Sequence, residues 1–214
     1  MSGLVHRLRE PDGVAAGALI LNHGRGADEN DLFPLLDYLD PDRRLLGVTT
    51  GAPLTNVPPG GRHWYIVPRV GYPDHDTFHA SYRVLTSFLD ELLEEHGLGW
   101  DQAVIGGFSM GAVMSYAVAL GEGRPLPAGL IALSGFIPTV DGWRPDLGER
   151  HGLPALISHG SADPVISVDF ARNARDVLEA GGLAPDYVET EAGHWLPPEA
   201  ADAAKRLVSG SVRT

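Results

Sequence analysis

A serine flanked by glycines at two-residue steps, Gly107-x-Ser109-x-Gly111, is the pattern an exposed serine nucleophile requires. The stretch Ala103-Val104-Ile105 before it is apolar and rich in β-branched side chains, the mark of a buried strand. After it, Met110 to Leu120 reads as a helix of small apolar residues. A turn from strand to helix this tight holds the serine in a strained backbone conformation, and a side chain on either flank would strike a neighbouring element. The hydroxyl then stands at the carboxyl end of the strand, over the positive end of the following helix. The pattern also arises by chance in glycine-rich chains, and this one has 27 glycines. The strand–turn–helix context separates the two readings and favours catalysis.

A serine hydroxyl is a weak nucleophile at neutral pH, so it needs a base within reach and a group that orients the base. Histidine is the usual base, and the chain has nine. His6, His96 and His151 fall in edge or surface segments, and His63 lies within a long loop. His75 and His79 sit four apart near a helix start beside Asp74 and Asp76; a solvated helix end accounts for them better than a metal pair, since no further ligand pattern is near. His23 and His159 each precede a glycine at a strand end, where a buried structural role is the plain reading. His194 differs, because it follows the last predicted strand and comes after both the serine and a suitable acid. Asp163 is that acid: alone it would read as a turn or helix-cap aspartate, but the order Ser109, Asp163, His194 is the one that accompanies this elbow. An acyl-transfer serine also needs donors for the developing oxyanion. The backbone N–H of Met110 is one, and the glycine-rich turn His23-Gly24-Arg25-Gly26 supplies the other through Arg25 N–H.

These residues need a scaffold that gathers strand ends. Strands are expected at Leu4–Arg9, Val14–Asn22, Arg44–Thr49, from Ala103 into the elbow, and at Ala128–Leu133, Pro154–Ser158 and Pro185–Thr190. Helices are expected at Glu29–Leu39, Asp76–His96, Met110–Leu120, Val168–Ala180 and Pro198–Val208. A proline- and glycine-rich segment, Gly51 to Asp74, carries Trp64 and Tyr65 and reads as an ordered functional loop. Most strands are continuous apolar runs, which implies a mostly parallel sheet with helices on both faces. His23, Ser109, Ser134, Asp163 and His194 all follow predicted strands directly, where such sheets bind ligands.

Composition narrows the field further. The 214 residues suffice for a single domain over 1–214. There is no cysteine, which removes disulfides, thiolate metal sites and a cysteine nucleophile. A net charge of −12 argues against a nucleic-acid partner. No apolar run approaches a membrane span and no signal pattern opens the chain, so a cytoplasmic protein without integral membrane association is expected.

Four blocks together carry a family resemblance: His23-Gly24-Arg25-Gly26-Ala27-Asp28-Glu29-Asn30-Asp31, Gly107-Phe108-Ser109-Met110-Gly111, His159-Gly160-Ser161-Ala162-Asp163-Pro164-Val165 and Ala192-Gly193-His194. In this order across nearly the whole chain, they resemble the phospholipase/carboxylesterase family of α/β hydrolases, which includes bacterial carboxylesterases and acyl-protein thioesterases. The resemblance implies an α/β-hydrolase fold without a large cap domain, and hydrolysis of carboxylic esters or thioesters with no cofactor and no metal. The chain departs from the family in two places: Met110 stands where glutamine is frequent, and Arg25 where an apolar residue is common.

The expectation is a serine carboxylesterase, monomeric or homodimeric, acting on small-molecule esters. Ser109 is the nucleophile, His194 the base and Asp163 its orienting acid, with Met110 and Arg25 as oxyanion donors. Trp64, Tyr65, Phe136 and Trp195 are candidates for the substrate pocket against a plain packing role. Without a lid-sized insertion, short or medium acyl chains are expected. An acyl-thioesterase or lysophospholipase would use the same site. A non-catalytic binding module on this scaffold would have lost a triad member, and none is lost.

Overall fold

Alternation along the central strands divides the core into two layers. On strand β2 (Ala18–Asn22), Ala18 and Ile20 enter one apolar cluster while Leu19 and Leu21 enter another. On β4 (Ala103–Phe108), Ala103 and Ile105 point to the first and Val104 to the second. Strands β5 (Gly129–Leu133) and β6 (Ala155–Gly160) repeat the division. Successive side chains leave opposite faces of a strand, so a strand covered on both faces reads as unbroken apolar sequence.

The structure is a computed structural model and describes residues 3–56 and 59–212. With β1 (His6–Arg9), β3 (Leu46–Thr50) and β7 (Asp186–Thr190), the strands form a seven-stranded sheet in the order β1-β3-β2-β4-β5-β6-β7. Only the edge strand β1 runs antiparallel, against β3. Helices α2 (His75–Glu95), α3 (Met110–Leu120) and α4 (Asp169–Ala180) contribute their buried side chains to the first cluster, and α1 (Phe33–Leu39) and α5 (Pro198–Ser211) to the second. The mostly parallel sheet with helices on both faces is as expected, and among the described residues no insertion large enough to be a cap covers it.

Edge strand β1 is tied in by a buried charge. Arg9 donates from Nη2 to Asp40 Oδ2 at 2.5 Å and from Nη1 to Leu36 O at 2.7 Å, while Asp40 Oδ2 also accepts from Leu45 N at 3.0 Å. The pair therefore joins the edge strand to the end of α1 and the start of β3.

Two expected elements begin four residues later than the sequence suggests. The run from Val14 is irregular until Ala18, because Val14 is 98% exposed and Gly17 lies against the Gln102 backbone, where a side chain would collide. The helix expected from Glu29 starts at Phe33. Asp28 Oδ1 accepts from Asn30 N at 2.8 Å and Glu29 O accepts from Thr49 Oγ1 at 2.6 Å, so local and tertiary bonds take the groups a first helical turn would use. At the other end of the chain, α5 runs past Val208 to Ser211. The loop Gly51–Asp74 is largely irregular, with a Leu54–His63 bridge; its Val57 and Pro58 lie outside the described residues.

Candidate active site

Strand β4 lies at the middle of the sheet between β2 and β5, and Ser109 follows its last residue. Ser109 has φ 55° and ψ −117°, a region that serine rarely adopts and that stores about 1–3 kcal/mol of strain. The flanking glycines show what holds it there. A Cβ on Gly107 would stand 2.6 Å from Gly111 O and 2.7 Å from Asn22 O, and a Cβ on Gly111 would collide with the Asn22 and His23 carbonyls. Helix α3 is thus pressed directly on the end of β2. A buried polar chain locks the contact: Thr50 Oγ1 donates to Asn22 Oδ1 (2.6 Å), Asn22 Nδ2 to Ser115 Oγ (2.9 Å), and Ser115 Oγ to Gly111 O (2.9 Å).

The three residues expected from chain order meet at this elbow. Ser109 Oγ is 2.9 Å from His194 Nε2, and His194 Nδ1 is 2.6 Å from Asp163 Oδ2. A carboxylate only accepts, so His194 Nδ1 carries the proton and Nε2 is left as an acceptor for the serine hydroxyl. Asp163 is fixed on its other oxygen, where Oδ1 accepts from Val165 N (2.7 Å) and Ile166 N (2.9 Å). Burial pushes the Asp163 carboxyl up, but the bonds from His194 and from the Ile166 and Val165 amides outweigh it and hold the group below its ordinary range. The acid is a carboxylate at neutral pH.

The glycine-rich turn after β2 packs on the same point. A Cβ on Gly24 would lie 3.2 Å from the Phe108 ring and 3.5 Å from Ser109 Cβ, so the turn touches the elbow. Among the described residues, neither Arg25 N–H nor Met110 N–H donates to a protein acceptor, the latter because it opens α3. His23 has the buried structural role expected of it. Its Nδ1 donates to Gly24 O at 2.6 Å and its Nε2 accepts from Ala52 N at 3.0 Å, which holds the turn against the long loop. Burial lowers the His23 pKa against the opposing pull of Gly24 O and nearby acids, so the ring is neutral.

An apolar cavity of about 320 Å³ opens beside Ser109. Tyr65, Phe136, Met110 and Ile166 line it together with Ser109 and His194, and Arg25 borders it as well. Two of the four aromatic candidates are therefore at the cavity and two are not. Trp64 is fully buried behind it, with Nε1 donating to His23 O at 3.0 Å and its own N–H pointing at Met110 Sδ at 3.2 Å. It braces the turn instead of touching a ligand. Trp195 is 54% exposed and does not line the cavity. The His75 and His79 rings lie 4.7 Å apart, His75 bonded to Asp76 and His79 to Asp141 O. Sequence reasoning missed the Asn22–Ser115 chain and the Trp64 brace, because a buried amide or indole has no local signature of its partner.

The chain matches the Phospholipase/Carboxylesterase family over residues 5–207. It is similar to acyl-protein thioesterase 1 of Debaryomyces hansenii, 32% identical over 191 residues that make up 79% of each chain. Among solved structures, esterase PE8 superposes with a TM-score of 0.84 at 25% identity, covering 97% of this chain and 99% of that one. The carboxylesterase of Bacillus cereus gives 0.82 at 21% identity over 98% and 95%, a likeness of fold.

Proposed function

The chain belongs to the phospholipase/carboxylesterase family of α/β hydrolases and is a serine hydrolase, and from that premise we propose that it is a carboxylesterase for short- to medium-chain esters. The single observation that carries the reading is the hydrogen-bonded series Ser109–His194–Asp163 at the head of an apolar cavity. In this mechanism Ser109 Oγ attacks the ester carbonyl as His194 Nε2 takes its proton. Asp163 keeps the other imidazole proton on Nδ1 and stabilises the cation that forms. The oxyanion is held by the N–H groups of Met110 and Arg25, which have no acceptor to give up among the described residues. His194 then protonates the departing alcohol, and a water activated by His194 releases the acid. Every proton transfer has its group in the chain, so the reading assigns no metal and no cofactor.

The substrate is a small ester whose acyl part enters the cavity between Tyr65 and Phe136. Among the described residues no helix is long and apolar enough to cross a membrane. We read residues 1–214 as one domain, working in the cytoplasm as a monomer or homodimer. The likeness to acyl-protein thioesterase 1 favours thioester hydrolysis as the second reading, since the same serine, base and oxyanion donors serve both leaving groups.

Initial rates on aryl esters with acyl chains from two to sixteen carbons, beside matched thioesters, test both. Wild type is expected to favour the short and medium esters, and folded Ser109→Ala to lose at least about 10³-fold in kcat. Rates rising steadily to the longest chains would overturn the substrate range, and a kcat/KM higher for thioesters would establish the second reading. Full activity in Ser109→Ala would overturn the nucleophile.

A further inference from the structure

A second histidine touches the triad acid. His159, near the end of β6, has its Nε2 2.9 Å from Ile166 O and 3.2 Å from Asp163 Oδ2, with both the His159 and Asp163 side chains fully buried. Its Nδ1 is buried with no hydrogen-bond partner among the described residues. The surroundings dictate the tautomer. A carbonyl and a carboxylate can only accept, so Nε2 carries the proton, bonded to Ile166 O with Asp163 Oδ2 close beside it. A proton on Nδ1 would face no protein acceptor, and burial lowers the His159 pKa against the opposing pull of Ile166 O and Asp163.

The four groups around the Asp163 carboxylate are not equivalent. Val165 N–H and Ile166 N–H belong to the same turn as Asp163 and move with it. His194 is the group that Asp163 must orient. Of these, His159 alone reaches the carboxylate from a sheet strand, and its hydrogen bond to Ile166 O ties down the far side of the same turn. We infer that His159 is a positioning residue: its neutral Nε2–H anchors the Asp163 turn to the sheet and aims Oδ2 at His194 Nδ1. Neutrality is part of the device. An imidazolium here would cancel the carboxylate charge that steadies the His194 cation during acyl transfer.

The inference rests on the proposed triad, and its test separates the two. His159→Leu removes the donor at similar bulk, and His159→Gln restores a neutral N–H at similar reach. Both are compared with wild type and Ser109→Ala on a short aryl ester, together with the downfield proton resonance of the His194–Asp163 bond, assigned by its loss in Asp163→Asn. His159→Leu is expected to lower kcat by about tenfold or more with KM little changed, and to shift that resonance. His159→Gln should recover most of the rate and the wild-type resonance. Should the leucine variant not fold, His159→Asn, whose amide ends short of Oδ2, replaces it with the same expectation. Wild-type kcat and an unmoved resonance in the donorless variant would overturn the inference, as would a glutamine variant no better than it. Ser109→Ala at full activity would instead remove the triad itself.

Discussion

Asp163 accepts three hydrogen bonds on two oxygens, with His159 Nε2 a further 3.2 Å from Oδ2, and this crowding makes one isosteric change informative. In Asp163→Asn, Oδ1 can go on accepting from the two turn amides while an NH₂ group replaces Oδ2. That group is a donor facing His194 Nδ1–H, so the imidazole proton moves to Nε2 and Ser109 loses its acceptor. The expected result is a fall in kcat of about 10⁴-fold with little change in KM. A fall of less than about tenfold in a folded variant would show that Asp163 does not set the tautomer. Legibility at this scale follows how chemistry is written into sequence. Ser109 sits in a local pattern, and His194 and Asp163 follow from chain order. Trp64 reads equally as a pocket aromatic or as packing, and it spends its indole N–H on His23 O, a partner 41 residues away that no spacing rule connects. His159 reads as a structural histidine, as its burial bears out, but its contact with Asp163 depends on how the turn from Gly160 to Ile166 folds back.

The element that positions the nucleophile is the β4–α3 junction, and its precision comes from missing side chains. Gly111→Ala would drive a Cβ into the Asn22 and His23 carbonyl oxygens, which are backbone and have no rotamer to yield. Helix α3 must then lift from β2 and carry Met110 N–H and Ser109 with it. The expected outcome is a loss of about 1–3 kcal/mol in stability by chemical denaturation and at least about 10²-fold in kcat. Gly210→Ala is the control: it lies in α5 with nothing within 4 Å of an added Cβ, so it should be neutral or stabilise by up to about 1 kcal/mol. Equal effects of the two substitutions would mean that the junction is not tightly fitted. Long elements were readable because their apolar period persists: α2 is displaced by only one residue at each end from the span expected. The short starts of β2 and α1 were not. There the outcome was decided by the exposure of Val14, the close approach of Gly17 to Gln102, and the bond from Thr49 Oγ1 to Glu29 O, none of which periodicity encodes.

Across the whole molecule, the buried titratable groups set a pH range for stability. His23 and His159 are held neutral in the fold by burial, below the ordinary value of 6.5. As pH falls below 6.5, unfolded chains take up protons that the folded protein refuses, so stability declines, by up to about 1.4 kcal/mol per pH unit for each histidine. Carboxylates held low extend the loss at more acid pH: Asp163 through its hydrogen bonds, and Glu189, lowered to about 2 by Arg172 and Tyr187. On the alkaline side the sign reverses. Burial raises Tyr65 and Tyr116, and burial with Glu189 raises Tyr187 to about 12, so unfolded tyrosines ionise first and stability falls above pH 10. A plateau between about pH 6.5 and 10 is expected in thermal midpoints. Self-repulsion works in the opposite sense at the acid edge, because the net charge of −12 shrinks as carboxylates protonate. Salt separates the two effects: about 0.5 M screens surface repulsion but leaves buried groups unaffected. In high salt the midpoint should therefore drop between pH 7 and 5, and His159→Gln should drop less steeply because one of the two refused protons is gone. A flat midpoint over that interval, or a decline that His159→Gln leaves unchanged, would contradict the neutral buried imidazole on which the anchoring of Asp163 depends.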